Sequence, residues 1–414
     1  MTAKDIGRLL ENCPSSSLLA QIGAQARRSG SRAAVVGGFV RDLLLGTASQ
    51  DIDIVVEGSA VVLARQLSGL LQGRLVKASP FGTALLALGD QKIDFAAART
   101  EYYAHPGALP VVTPASIPQD LFRRDFTVNA LAVELLGDDG FGPLLDPCGG
   151  VGDLGNRRLR ILHAGSFQDD PTRIFRALRL ANRLKFTLDT ATEELLREAI
   201  KSQGWRNISS ARLMRELRLM FDEPDWVSAC RDLERYGLFA PLFGPALTED
   251  WAGKLEKVDP AVEFFTGQGL AVDRIGLAGL CLKAYFLLPA RLARQIRPAV
   301  ERLPDTRREL AGADRPHKIF AALAQIPPPV LAYLWIICQN GEEQRPIRRY
   351  VEELRHVKPG LSAAQIAAQS GSGPQVKMLY NKLLTAKLDG RLPTLEDERE
   401  FIQRLAAEST HGGL

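Results

Sequence analysis

From Ser17 to Arg28, apolar residues recur at Leu18, Leu19, Ile22 and Ala26, a spacing that sets them on one side of a helix. A β-rich run, Ala33–Val36, follows and ends in Gly37-Gly38, after which Val40–Leu45 reads as helical. Asp51–Val56 (DIDIVV) alternates charged and apolar residues, the pattern of a half-buried strand. Ser59 stands where it can cap a helix running to Leu71. Three strand-like runs then come in close succession: Arg74–Ala78, Ala84–Leu88 and Lys92–Ala97. Short antiparallel pairs joined by Gly-containing turns fit them better than parallel crossovers. The first third thus predicts a small mixed α/β domain with one sheet and few helices.

The segment from Glu101 to Gln119 (EYYAHPGALPVVTPASIPQ) is dense in Pro, Gly and aromatics and reads as a long loop, of the kind that is functional or disordered. β-rich patches return at Leu131–Leu136, Leu144–Pro147 and Arg158–Leu162. Beyond Gln168 the pattern is helical almost to the end, with candidate breaks at Gly237, Pro241, Pro289, Pro304, Pro327–Pro329, Pro359 and Pro393. No repeat of fixed period and no low-complexity tail is visible. The fold class expected is α+β, a small mixed sheet followed by an all-helical remainder.

Composition narrows this picture a little. At 414 residues and 46% hydrophobic, the chain suffices for two to four packed domains. No apolar run reaches the roughly 18 residues of a membrane span; the longest, Ile275–Leu288, is broken by Lys283. The start of the chain carries Lys4, Asp5 and Arg8 without an apolar signal core, so export is not expected and a cytoplasmic location is. Five scattered cysteines (Cys13, Cys148, Cys230, Cys281, Cys338) form no CxxC pair and fit buried or incidental thiols in a reducing compartment. The five histidines show no zinc-like spacing. A net charge of +4 hides a polarity: residues 1–150 hold 13 Lys and Arg against 15 Asp and Glu, the remainder 39 against 33. An acidic front and a basic remainder suit a carboxylate–metal centre joined to a surface for an anionic partner, and equally suit ordinary solvated helix faces.

The chemistry concentrates near the front. In a strand, side chains two apart share a face, so Asp51 and Asp53 can bracket one hard divalent ion. Asp94, in the later strand KIDF, could join them if the strands are neighbours. Three carboxylates on one sheet face are what two-metal phosphoryl transfer requires. Alone, an acidic pair on a strand is more often just an exposed face. Upstream, Val35–Asp42 (VVGGFVRD) is a strand, a glycine pair and a helix start. The glycines would let backbone approach a triphosphate, the helix start offers free N–H groups, and Arg41 adds a forked cation. A tight turn is the plain alternative. The pattern GxxxxGK[ST] is absent, which disfavours a P-loop ATPase. Further on, Asp170 and Arg173 lie three apart, so on a helix they would face the same way, an acceptor beside a donor, able to read a base edge or to form a solvated ion pair.

Together these residues carry a resemblance. GGFVRDLLLG followed by DID, then Asp94, then Arg123–Ala130 (RRDFTVNA), Asp146–Gly150 (DPCGG) and Asp169–Arg179 (DDPTRIFRALR) occur in the order found in class II tRNA nucleotidyltransferases and bacterial poly(A) polymerases. The similarity covers residues 35–186; past about residue 225 only helical character is shared. The resemblance implies a catalytic head over residues 1–137, a neck that recognises the nucleotide over 138–225, and a helical body and tail over 226–414 that binds tRNA, in a seahorse-like architecture. It implies that Asp51, Asp53 and Asp94 are catalytic and hold two Mg²⁺ ions, and that Asp170 and Arg173 select CTP or ATP without a template. Gly37, Gly38, Arg41, Arg124, Asp125, Arg176 and Arg179 would complete the nucleotide and triphosphate site. Asp125 reads either as a helix cap or as a ribose acceptor, and Asp146 as the residue that holds the DPCGG turn. A later family motif, Ile-Ser followed by Glu-Arg, appears here as Ile208-Ser209-Ser210-Ala211-Arg212, with Arg kept and Glu lost, while Glu216 remains.

The activity implied is addition of CCA, from CTP and ATP, to the 3′ end of tRNA gripped at its acceptor stem and elbow, with pyrophosphate released. A-only addition ranks second and poly(A) synthesis third. An inactive RNA-binding homologue, which should have lost one of the three aspartates, and a small-molecule nucleotidyltransferase, which would not need the basic helical remainder, stand as the alternatives from other classes. The match implies no membrane partner and leaves the oligomeric state open.

Overall fold

The hydrophobic alternation seen in the sequence closes a seven-stranded mixed sheet in the computed structural model, which describes residues 3–47, 51–79, 81–102, 104, 110–244, 251–370 and 374–411. The strands are β1 (Arg32–Val36), β2 (Ile52–Glu57), β3 (Arg74–Ser79), β4 (Thr83–Leu88) and β5 (Gln91–Ala97). After β6 (Arg99–Tyr102) and β7 (Val111–Pro114), which pair with each other, come β8 (Ala132–Leu135) and β9 (Phe141–Leu145). The sheet order is β3-β4-β5-β2-β1-β8-β9. The β3–β4 and β4–β5 pairs are antiparallel, as their short Gly-containing turns predict, but β5 also runs parallel to β2. That one parallel pair fixes the site, because it sets Asp53 beside Asp94.

Apolar side chains bury the central strands, β1 on both faces. Ile52, Ile54 and Val56 of β2, with Ile93 and Phe95 of β5, are almost fully buried. Helices Ser16–Arg28 and Ala60–Leu70 pack against the sheet through Leu19, Ile22, Ala26, Leu63, Ala64 and Leu67. The second of these starts as expected, with the Ser59 hydroxyl accepting from Val62 N–H at 3.3 Å. A second small core gathers Ala34, Val36, Val55, Ile117, Leu121 and Ala130.

The segment expected as one long loop contains the β6–β7 hairpin and a helix, Ile117–Leu121. Its Pro and Gly content hides a regular pairing of Thr100 with Thr113 and Glu101 with Val112. Tyr103 and His105 lie outside the described residues. Downstream, the expected strand at Arg158–Leu162 shrinks to Arg158–Leu159, paired in parallel with Thr187–Leu188. Asp146 holds the DPCGG turn by accepting from the Gly150 and Val151 N–H groups at 2.6 and 3.0 Å.

The chain forms two compact units, residues 1–239 and 240–414, so residues 138–225 share a unit with the sheet. In the first, helices Thr172–Leu184, Ser210–Asp222 and Trp226–Arg235 pack on one another. The second contains helices and, among its described residues, no strand. Several prolines marked as breaks prove to be helix starts: Pro304 and Pro328 sit in first turns, where the missing N–H costs nothing. Among the described residues no single helix is long and apolar enough to cross a membrane.

Candidate active site

The register of β2 against β5 makes Asp53 and Asp94 direct partners. In-register neighbours on parallel strands lie about 4.8 Å apart and point to the same face. Asp51, two residues before Asp53, shares that face. Burial pushes the Asp53 carboxyl up, Arg124 counters it, and the charges of Asp94 and Asp51 raise it further. Asp94 is likewise raised, by burial and then by Asp51. Like charges held together at this cost are what a bound cation relieves, and carboxylate oxygens are the donors hard divalent ions prefer. The donor set therefore fits magnesium in kind. Among the described residues, however, no three acidic, His or Cys side chains are gathered into a ready-made cage.

Gly37, with φ +70° and ψ −130°, turns the chain from β1 into helix Gly38–Leu44, and its N–H donates to the Leu131 carbonyl at 3.0 Å. A Cβ at this position would stand 3.0 Å from Arg124 Nη1 and 3.8 Å from Asp53 Oδ2, so glycine is needed both for the backbone and for the close approach. Arg41, the forked cation expected here, is already held by protein partners. It is only 4% exposed, donating through Nε to Asp42 Oδ1 and through Nη1 to Asn129 Oδ1, both at 2.7 Å, with its guanidinium lying under Gly38.

Two cavities flank Asp53. One, of about 410 Å³, is lined by Gly37, Asp170, Arg173, Arg124 and Arg212 among others. The other, of about 590 Å³, is lined by Asp51, Arg41, Arg179, Arg183 and Arg215 among others. Gly38, Asp53, Asp125, Asn129 and Arg176 border both. Asp94 borders neither.

The arginines around these cavities are tethered. Arg124 donates to Asp120 at 3.1 Å and keeps a buried Nε with no partner. Asp125 accepts from Phe126 N–H, Asn129 Nδ2 and Arg176 Nε at 2.9, 3.0 and 2.9 Å, and also from Arg176 Nη2. Its carboxyl is buried, which alone would raise its pKa; the Arg176 charge and these bonds hold it well below the usual carboxylate range. Asp125 thus braces Arg176 and the RRDFTVN loop while bordering both cavities. Arg179 donates to Glu223 at 2.9 Å.

Asp170 and Arg173 border one cavity, though not for the reason their spacing suggested. Asp170 precedes the helix, with φ −131° and ψ 94°, because Pro171 disfavours helical backbone in the residue before it. Its Oδ1 accepts from Thr172 N–H and Oγ1 at 2.9 and 2.6 Å and from Arg212 Nη2 at 2.7 Å. Arg173 is 5% exposed and donates to Ser166 Oγ at 2.6 Å and the Arg123 carbonyl at 2.7 Å. The solvated ion pair is thereby excluded, since the two make no pair and Arg173 is buried.

Sequence reasoning passed over Asp120, Asn129 and Arg212 as site residues. Asp120 is fully buried, holding Arg124, the Arg99 N–H at 3.1 Å and Arg123 Nε at 2.9 Å. Its signal was an acidic residue three and four before the two members of an Arg-Arg pair. Asn129, inside a quoted motif, links Arg41 to Asp125.

The chain matches the family models described as "Poly A polymerase head domain" over residues 33–160 and "Probable RNA and SrmB- binding site of polymerase A" over 185–250. It is 34% identical over 398 residues to an A-adding tRNA nucleotidyltransferase of Geobacter sulfurreducens, covering 90% of this chain and 45% of that protein. To a CC-adding tRNA nucleotidyltransferase of Deinococcus radiodurans it is 40% identical over 230 residues, covering 54% and 59%. The chain thus spans about half the length of these curated relatives. Among solved structures it is similar to a tRNA-processing enzyme (TM-score 0.72, 30% identity, covering 90% of this chain and 98% of that one). It is also similar to a Thermotoga maritima CCA-adding enzyme complexed with tRNA (TM-score 0.77, 28% identity, covering 97% and 98%). CCA-adding enzymes solved with CTP and with ATP give TM-scores of 0.80 and 0.81, each at 27% identity over 99% of both chains. With the paired aspartates, the glycine turn and the arginine-lined cavities already in place, these matches make the chain a member of the tRNA nucleotidyltransferase and poly(A) polymerase family.

Proposed function

We propose that the chain transfers AMP from ATP to the 3′ end of tRNA, the step common to CCA addition and A-only addition. The observation that carries this reading is the in-register pair Asp53–Asp94 beside the Gly37 turn and an arginine-bordered cavity. CCA addition is the first reading, favoured by the match to solved CCA-adding enzymes over nearly the whole chain. A-only addition is the second, favoured by relatives named A-adding that align over 90% and 93% of the chain.

In the reaction, the terminal 3′-hydroxyl of tRNA gives up its proton to water, its oxygen bonds to the α-phosphorus, the bond from that phosphorus to the bridging oxygen breaks, and pyrophosphate leaves. Asp51, Asp53 and Asp94 would hold magnesium, which when bound neutralises the developing charge and lowers the pKa of the attacking hydroxyl. Arg124, Arg176 and Arg179 meet the triphosphate with the N–H groups left over from their carboxylate tethers. Asp170 and Arg173 offer an acceptor and donors to the Watson–Crick edge of the base. The basic helical segment grips the RNA through phosphates and shape.

The test is to incubate the purified protein with tRNA lacking its 3′ terminus, Mg²⁺, and CTP or ATP separately. Incorporation of both supports CCA addition, and of ATP alone, onto tRNA ending in CC, supports A addition; long tails would point to poly(A) synthesis instead. Asp53→Ala should abolish incorporation while tRNA binding stays within about twofold, since the carboxylate would hold the ion that acts on the reacting phosphate and makes no contact the RNA needs in order to bind. Extension by that variant at the wild-type rate would refute the assignment.

A further inference from the structure

We propose that Arg212 is a positioning residue that sets nucleotide specificity, by loading one oxygen of Asp170 so that only the other is left to accept from the base. The inference rests on the reading of this cavity as a nucleotide site.

The argument starts from the lone pairs. A carboxylate has about four acceptor sites over two oxygens. Asp170 Oδ1 receives three donors: Thr172 N–H at 2.9 Å, Thr172 Oγ1 at 2.6 Å and Arg212 Nη2 at 2.7 Å. No described residue donates to Oδ2. The Asp170 side chain is 20% exposed and that of Arg212 27%, and both border the cavity that contains Arg173. Arg212 arrives from helix Ser210–Asp222, a different element from the one Asp170 precedes, so it ties the two sides of the cavity together.

The chemistry of the bases gives this arrangement a consequence. Cytosine and adenine both present an exocyclic amine next to a ring nitrogen that accepts; uracil and guanine present a carbonyl oxygen next to a ring N–H. An ionised carboxylate with a single fixed acceptor bonds the amine and repels the carbonyl. Arg212 stops Asp170 from rotating to present a different oxygen. Without Arg212, Asp170 can turn, and no single acceptor is then held where it bonds the amine and opposes the carbonyl of the wrong base. The discrimination therefore belongs to Arg212 as much as to the residue that meets the base.

The experiment compares kcat/KM for ATP and GTP on one tRNA acceptor for the wild type, Arg212→Gln, Arg212→Lys and Thr172→Val, with thermal unfolding of each as a control. Removing a charge-assisted donor from a recognition carboxylate is worth about tenfold to a hundredfold, so Arg212→Gln should lower the ATP-to-GTP ratio by about that factor. Arg212→Lys should restore part of it. Thr172→Val, which takes a donor from the same oxygen and leaves Arg212 alone, should lower the ratio in the same direction. If Arg212→Gln reduces both kcat/KM values equally and leaves the ratio within about twofold, the arginine is only structural and the inference falls. A wild type that extends no tRNA would instead overturn the reading of the site, and this inference with it.

Discussion

Asp125→Asn isolates the tether on which much of the site depends. Asparagine keeps an oxygen for Phe126 N–H and Asn129, but loses the charge and sets an amide NH₂ against the donors of Arg176. Breaking a buried ion pair by removing one partner costs about 3–5 kcal/mol. The Asp125 side chain is 8% exposed but that of Arg176 is 39%, so water recovers part of the guanidinium and the expectation falls to about 3 kcal/mol. For a unit the size of residues 1–239 each kcal/mol moves the midpoint by about 2–4 °C, giving a drop of about 6–12 °C. The pH dependence has a definite sign. The folded-state pKa of Asp125 is depressed below its ordinary value of 3.8, so its contribution is fully present above that value and is lost as pH falls through the folded pKa. The gap between wild type and variant, read by far-UV circular dichroism, should be flat from neutral pH down to about pH 4 and shrink below it. A double-mutant cycle with Arg176→Met should recover most of the loss. If Asp125→Asn unfolds within about 0.5 kcal/mol of the wild type at pH 7, the pair is not the brace described here.

Glu216 should behave in the opposite way. Burial raises its pKa despite Arg176, Arg179 and Arg215, and its Oε2 is buried without a partner, so its stabilising contribution is greatest below the unfolded value of 4.5 and declines as pH rises through the folded pKa. Glu216→Gln should therefore gain on the wild type as pH rises from about 4.5 to neutrality in denaturant titrations, and a variant that loses ground over that range would refute the assignment. Gly150→Ala should cost about 1–3 kcal/mol in the same titrations, because its Cβ would stand 2.2 Å from the Thr127 carbonyl oxygen and force backbone apart; an unchanged midpoint would show that the turn gives way easily. Cys230, Cys281 and Cys338 are buried, the last two thiols pushed up to about 12 and about 11, whereas Cys13 and Cys148 are half-exposed. An aromatic disulfide reagent should therefore titrate two thiols in the native protein and the remaining three only in denaturant.

The parts of this molecule that were legible in the sequence are those fixed by local periodicity or by a short motif. The period-two alternation of DIDIVV and KIDF showed which side chains share a face, and the glycine pair marked the turn at Gly37. The sheet order was not legible, since strand alternation says nothing about which strand lies next to which; the parallel β2–β5 pair, which joins Asp53 to Asp94, comes from tertiary packing. The β6–β7 hairpin was hidden because Pro and Gly dominate its connection, and its four-residue strands carry little alternation of their own. Asp170 is a different matter. Its extended backbone was available from the proline that follows it, and placing Asp170 and Arg173 on one helix ignored that restriction. The state of Arg41 was half visible: Asp42 is adjacent in sequence, but Asn129, its other partner, comes from beyond β7.

The tethering of these arginines also bears on how the cavities would meet an anion. Arg41, Arg124, Arg176 and Arg179 are each held by a carboxylate, from Asp42, Asp120, Asp125 and Glu223 respectively. A guanidinium has five N–H donors, and one carboxylate uses one or two of them. The rest stay available in fixed directions, and Arg124 and Arg179 each keep a buried Nε with no partner. Ordering a free arginine costs up to about 2 kcal/mol in lost rotamers. Here folding has already met that cost, so a bound phosphate does not have to. The same carboxylates cancel much of the positive field, so affinity for an anion rests on the geometry of the remaining donors more than on net charge. Neutralising one of these acids should then harm binding even though it makes the cavity more positive, because the arginine it held would be free to turn away.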